Sequence, residues 1–233
     1  MYNQIADIYL EIFPLNQEFL AFIPEYLGKP GAKVLDLGCG PGDYVDALSN
    51  SGYQATGIDG SFAMIEKAKV EKRGSFYHYS FSEIAQLESG FDCVYCVGNS
   101  LSYLSNNAWL QFLRDVQNLL KNSGFFVFQV VNWDRIRMTR KSGFPINSIS
   151  GGRTFHRRYE WIDDSEVIFH TELQKDNEIL DFWAAPLYPK YCNLVVSDLQ
   201  VAGLTIVSKF GNYLKSPYDL QTSPATIMVA RKN

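Results

Sequence analysis

Three glycines at a spacing of two, Gly38, Gly40 and Gly42, follow the apolar run Val34-Leu35-Asp36-Leu37 and precede the helical pattern of Asp43–Leu48. The order predicts a short buried strand, a tight turn and a helix start. Without Cβ atoms the turn lets a ligand approach the backbone closely, and the helix N-terminus behind it presents N–H groups. Asp36 and Asp43 flank the turn, and Asp59 ends the next apolar run, Gly57-Ile58-Asp59-Gly60-Ser61. The dinucleotide fingerprint G-x-G-x-x-G needs a third glycine where Asp43 stands. A diphosphate would be repelled by the two flanking carboxylates, whereas a cation would be favoured. An acid at the tip of a second strand can bind both hydroxyls of a ribose. The residues therefore predict a ligand with a ribose and a cationic end.

The elements that must position these residues follow from the chain order. Strands are predicted at Lys33–Leu37, Tyr53–Ile58, Ser75–Tyr79, Phe91–Val97 and Gly124–Val131, with helices around Gly42–Asn50, Ser61–Lys72, Ser82–Leu87 and Asn107–Lys121 between them. Glycine turns punctuate each return to the sheet. Five such repeats imply βαβ crossovers and a parallel sheet buried on both faces, an α/β fold. Before them, residues 2–28 show helical periodicity interrupted by Pro14, with Asn16 placed to cap a second helix. After Asn132 the rhythm changes to strands near 153–162, 166–174 and 179–187, joined by tight turns, which predicts an antiparallel meander. A helix at Tyr191–Ala202 and strands at Leu204–Lys209 and Ala225–Arg231 close the chain. The expected organisation is one domain over 1–233, with an N-terminal helical segment (1–30) and an insertion (135–190).

Composition excludes several classes. The 233 residues carry a net charge of −4, which opposes general nucleic-acid binding. No apolar run is long enough to span a membrane, and no basic-then-apolar leader opens the sequence, so a cytoplasmic protein is expected. Cys93 and Cys96 have C-x-x-C spacing, but on a strand residues three apart point to opposite faces. Neither a metal site nor a disulfide is expected there. His78, His156 and His170 show no ligand spacing.

Val34-Leu35-Asp36-Leu37-Gly38-Cys39-Gly40-Pro41-Gly42 and Gly57-Ile58-Asp59-Gly60-Ser61, followed by Met64, resemble the first two motifs of the class I S-adenosylmethionine-dependent methyltransferases. The resemblance covers residues 30–132 well. It implies a Rossmann-like, mostly parallel seven-stranded sheet with helices on both faces and an antiparallel β insertion after strand five. The cofactor it implies is S-adenosyl-L-methionine. Gly38 and Gly40 would then border the methionine part, Cys39 would join them in binding the cofactor, and Gly42 would permit close helix packing. Asp59 would hold the ribose hydroxyls, with Ser61, Met64, Ser80 and Phe81 near the adenine, and Gly60 would also bind the cofactor. Val97 and Gly98 would border the methionine from strand four. Tyr2 and Tyr9 resemble the aromatic lid of the small-molecule branch.

Methyl transfer asks little of the protein beyond alignment, exclusion of water and sometimes removal of a proton. Asn99-Ser100-Leu101 lacks the Asn/Asp-Pro-Pro-aromatic pattern of enzymes that methylate base amines. It is similar to the small-molecule branch that includes glycine and sarcosine N-methyltransferases, as is Asn132-Trp133-Asp134-Arg135. Residues 135–158 hold seven basic side chains and no acid. Because arginine forks pair with carboxylate or phosphate, an anionic small acceptor is expected, clamped by Arg135, Arg157 or Arg158; a solvated basic surface is the competing explanation. Asn99 and Asn132 are further acceptor-contact candidates, and His156 or His170 could act as a base. The alternatives to a small-molecule enzyme are an RNA or protein methyltransferase and a domain that binds S-adenosylmethionine without turnover.

Overall fold

A computed structural model describes residues 5–233. Tyr2 lies outside them. A seven-stranded sheet has the order β10-β11-β5-β4-β1-β2-β3. Its strands are β1 (Lys33–Leu37), β2 (Gln54–Asp59), β3 (Ser75–His78), β4 (Phe91–Cys96), β5 (Leu120–Val131), β10 (Leu204–Phe210) and β11 (Ala225–Lys232). β1 pairs in parallel with β2 and β4, and β2–β3 and β4–β5 are parallel too. β11 runs antiparallel to both β5 and β10.

Alternation along each central strand divides the core in two. Leu35, Leu37, Val94, Cys96, Phe126 and Phe128 face one layer. Val34, Cys93, Tyr95 and Val127 face the other. Cys93 and Cys96 thus lie on opposite faces of the sheet, and all four cysteines are free. Among the described residues no metal-ligand cluster occurs. No helix among the described residues is long and apolar enough to cross a membrane.

The first layer is covered by α6 (Asn106–Leu119) and α8 (Cys192–Val201), the second by α2 (Gln17–Phe22), α3 (Pro24–Leu27), α4 (Asp43–Asn50) and α5 (Phe62–Glu71). The Asn16 side chain caps α2 by accepting from the N–H groups of Glu18 and Phe19. The short α1 (Tyr9–Ile12) precedes it.

Strand five begins earlier than the sequence pattern indicates. The helix stops at Leu119, because Leu120 already pairs with Phe91 and is pulled into the core. A register shift then accommodates 121–124, with Ser123 at a φ of 65°.

The insertion is a four-stranded antiparallel sheet, β6 (Asn147–Ile149), β7 (Arg153–Trp161), β8 (Val167–Lys175) and β9 (Glu178–Leu187). Asp176 and Asn177 join β8 to β9 with φ of 50° and 65°, as a tight hairpin turn of this hand requires. Two elements carry no clear sequence signal: β6, and α7 (Trp133–Thr139), which is capped by the Asn132 side chain.

α1 and Phe13 are held between the insertion and α5. Ile5, Ile8 and Ile12 pack with Ile149 and Phe155 on one side and Met64 on the other. The Glu11 carboxylate accepts from the Ser150 N–H at 2.7 Å and hydroxyl at 3.0 Å, and Asn147 donates its amide to the Ile12 carbonyl at 3.0 Å.

Candidate functional site

One cavity of about 690 Å³ opens at the C-terminal ends of β1, β2, β3 and β4, around the point where strand order reverses. The glycine turn forms its floor. Gly38 and Cys39 donate their N–H groups to the Ile58 carbonyl at 2.8 and 2.9 Å, which ties the turn to β2. The Gly40 N–H donates to Asp59 Oδ2 at 2.9 Å, and the Ser61 N–H to Asp59 Oδ1 at 2.7 Å. Gly42 donates back to the Cys39 carbonyl at 3.1 Å. These N–H groups are spent within the protein, so the turn offers no nest for a diphosphate. The Tyr9 ring covers the turn: a Cβ on Gly40 would meet it at 3.5 Å.

A second wall is aromatic. Phe19 holds Tyr44 and Tyr213 at centroid distances of 4.8 and 5.3 Å, and both tyrosines line the cavity. The Tyr44 hydroxyl accepts the Asn16 N–H at 3.1 Å. Burial pushes the phenols of Tyr44 and Tyr213 up, so both stay protonated near neutrality. Tyr103 and Gln129 complete this side.

Residues 34–124 match the family model described as a methyltransferase domain. The solved structure of an S-adenosylmethionine-dependent methyltransferase from Clostridium acetobutylicum ATCC 824 has the same fold. It superposes with a TM-score of 0.79 at 17% identity, over 100% of this chain and 99% of that one. Residues 34–124 carry a methyltransferase domain. A provisionally named methyltransferase of Geobacillus sp. (strain WCH70) is 34% identical to this chain over 120 residues, 49% of each chain; the aligned stretch is thus about half of that relative's length. Glycine/sarcosine N-methyltransferase of Aphanothece halophytica is 24% identical over 222 residues, 91% of this chain and 81% of that enzyme.

The charged side chains lining the cavity are Asp43 and Asp59, among the described residues. Asp36 lies beneath the turn, 1% exposed, facing the Tyr95 hydroxyl. Acids, tyrosine rings and a donor-poor turn suit a cationic nucleoside. Burial holds the Asp59 carboxyl above the usual carboxylate range, against the pull of its two backbone N–H partners. Ser80 donates its N–H and hydroxyl to Glu83 Oε2 at 2.8 and 2.6 Å. Glu83 thus places a carboxylate beside Ser80, and those bonds hold it below its ordinary range.

Of the cofactor candidates read from the sequence, Tyr9, Gly38, Cys39, Gly40, Asp59 and Gly60 line the cavity, as do Ser61, Ser80, Phe81, Val97 and Gly98. Two do not. Gly42 lies against Phe76 and Ala68. Met64 is fully buried and packs with the N-terminal segment and the insertion.

The acceptor candidates are not brought to the cavity. Asn99 Oδ1 accepts from the Val131 N–H and the Ser102 hydroxyl. Asn132 is buried and donates to the carbonyls of Asp219, Leu220 and Ser223. Arg135 is exposed on α7. Arg157 donates to Asn147 Oδ1 at 2.7 Å and lies 5.2 Å from the Phe144 ring. Arg158 pairs with Glu160 at 3.5 Å. His156 Nε2 meets Thr154 Oγ1 at 3.0 Å, and His170 Nε2 meets Glu160 Oε2 at 2.8 Å, both on the insertion sheet.

Sequence reasoning missed Tyr44, Tyr103, Gln129 and Tyr213. Tyr44 follows the turn by two residues and was within its reach; the others carry no motif.

The buried acid yields a stability prediction. Burial pushes the Asp36 carboxyl well above the ordinary range; the facing Tyr95 hydroxyl offsets part of this, and Asp59 adds to it. A raised carboxyl binds more protons folded than unfolded, so stability falls as pH rises from the unfolded value, about 3.9, towards the folded one, at up to about 1.4 kcal/mol per pH unit. Asp36→Asn removes that slope. Denaturant unfolding at pH 5 and pH 8 should show the variant gaining on the parent as pH rises; parallel curves would contradict the assignment.

Proposed function

We propose that this chain transfers a methyl group from S-adenosylmethionine to a nitrogen or oxygen of a small molecule. The observation that carries this reading is the shared cavity. The glycine turn and Asp59 form one end, and the wall of Tyr44, Tyr103, Gln129 and Tyr213 forms the other, in a volume well within the ~300–1,000 Å³ of small-molecule sites. When bound, the cofactor supplies a methyl group on a good leaving group. The protein's share is alignment and dryness. Asp59 offers lone pairs to ribose hydroxyls, and Phe81 and Ser80 border the adenine. Gly38, Gly40 and Gly98 let the methionine part lie on backbone. Tyr9 closes over the turn and excludes water.

A small acceptor is favoured over RNA because three basic side chains of this segment, Arg137, Arg140 and Arg158, face carboxylates of the chain itself. Arg140 pairs with Asp164 at 2.8 Å, and Arg137 lies near Asp134 and Asp164. The N-methyltransferase activity named for the Aphanothece relative also supports a small acceptor. Calorimetry with S-adenosylmethionine tests the cofactor half, and release of S-adenosylhomocysteine with a small-molecule extract tests transfer. Binding without release across the extract would instead favour a non-catalytic domain.

A further inference from the structure

We propose that the acceptor is a small amine bearing no carboxylate or phosphate, positioned by the side-chain amide of Gln129. This rests on the methyl-transfer reading and adds to it the charge and nucleophile of the substrate.

The first observation is charge. No lysine or arginine lines the cavity among the described residues, whereas Asp43 and Asp59 do. Each arginine considered as a clamp is turned elsewhere: Arg157 to Asn147, Arg158 to Glu160, Arg135 to solvent. Asp43 is paired at 2.6 Å with Lys72, which lies outside the lining. An anionic acceptor would find no lysine or arginine side chain in the cavity wall to pair with, and only the cofactor's own charge to offset its desolvation.

The second is the absence of a free base. Neither histidine nor lysine lines the cavity among the described residues, and His156 and His170 sit on the insertion with other partners. The two carboxylates that line it are engaged, Asp43 by Lys72 and Asp59 by the N–H groups of Gly40 and Ser61. An aliphatic alcohol needs its proton removed to attack, whereas an amine carries its own lone pair once it has lost a proton to water. The nitrogen gains the methyl carbon, the sulfonium becomes a neutral thioether, and one proton goes to solvent.

The third is orientation. Gln129 Oε1 accepts the Gly98 N–H at 2.9 Å. A backbone N–H can only donate, which fixes the amide's sense. Its NH₂ group is therefore the one available to the cavity that Gln129 lines. A donor there can hold a hydroxyl or carbonyl oxygen of the acceptor next to the tip of β4.

The experiment supplies the full chain with S-adenosylmethionine carrying a trideuteromethyl group, together with a small-molecule extract of the native cells. Labelled products are sorted by mass and charge. Labelled amines without acidic groups are expected. A labelled carboxylate or phosphate ester as the main product overturns the charge assignment while leaving methyl transfer intact. No labelled small molecule at all refutes transfer itself, and this inference with it.

Gln129→Glu then tests the amide with the acceptor so found. Glutamate keeps an oxygen for Gly98 but loses the NH₂ donor and favours the protonated, unreactive amine. We expect kcat/KM at pH 7 to fall about tenfold or more and the midpoint of its rise with pH to move upward, with affinity for S-adenosylmethionine within about twofold. An unshifted pH profile, or a loss of cofactor affinity instead, overturns the role given to Gln129.

Discussion

Asp59→Ala should lower affinity for S-adenosylmethionine about a hundredfold, or ~2.7 kcal/mol. Two carboxylate bonds to ribose hydroxyls, each worth about 1.5–3 kcal/mol, supply a loss of that size after solvent competition. The carboxylate also works within the protein, since its two oxygens hold Gly40 and Ser61. Alanine therefore removes the ribose partner and one tie between the turn and β2 in one step, while Gly38 and Cys39 stay bonded to the Ile58 carbonyl. Asp59→Asn separates the effects: its single carbonyl oxygen can retain one backbone bond, but its NH₂ cannot accept a hydroxyl donor. Calorimetry with a parallel unfolding curve reads both. Asparagine should approach alanine in binding while staying closer to the parent in stability. Unchanged affinity in both variants would sink the ribose assignment. Because burial raises this carboxyl, binding should also weaken as pH falls and Asp59 protonates.

The cofactor end is legible in the sequence because its determinants are local. Val34 to Gly42 form strand and turn in nine consecutive residues, and Asp59 is registered against them by the parallel pairing of Leu37 with Ile58. The opposite orientation of Cys93 and Cys96, and the turn at Asp176-Asn177, follow equally from short-range geometry. The wall proposed to face the acceptor is assembled from distant segments. Tyr44 comes from α4, Tyr103 from beyond β4, Gln129 from β5 and Tyr213 from the link between β10 and β11, and no spacing announces their meeting. The N-terminal segment is fastened by Glu11 to Ser150, 139 residues away. The basic run misleads for the same reason. It contains no acid of its own, yet Asp164 and Glu160 reach it across the insertion.

Gly42→Ala should destabilise the fold by about 2–4 kcal/mol, although the change is one methyl group. Gly42 is the N-cap of α4 with a φ of 86°, a conformation that costs an L-residue about 1 kcal/mol or more. The larger part is steric. A Cβ there would stand 2.6 and 2.8 Å from two atoms of the Phe76 ring and 3.0 Å from the Ala68 Cβ. That ring is 6% exposed and packed among α4 and α5, so it has no free direction in which to yield. Gly98 provides the comparison. Its φ is 73°, but a Cβ would meet nothing within 4 Å, so Gly98→Ala should cost only the backbone part, about 1 kcal/mol. Urea unfolding with an unchanged slope would measure both. Equal losses would mean that φ alone requires glycine at 42. A gap of about 1–3 kcal/mol would assign its third glycine to packing the helix against β3, leaving Gly38 and Gly40 as the pair that faces the ligand.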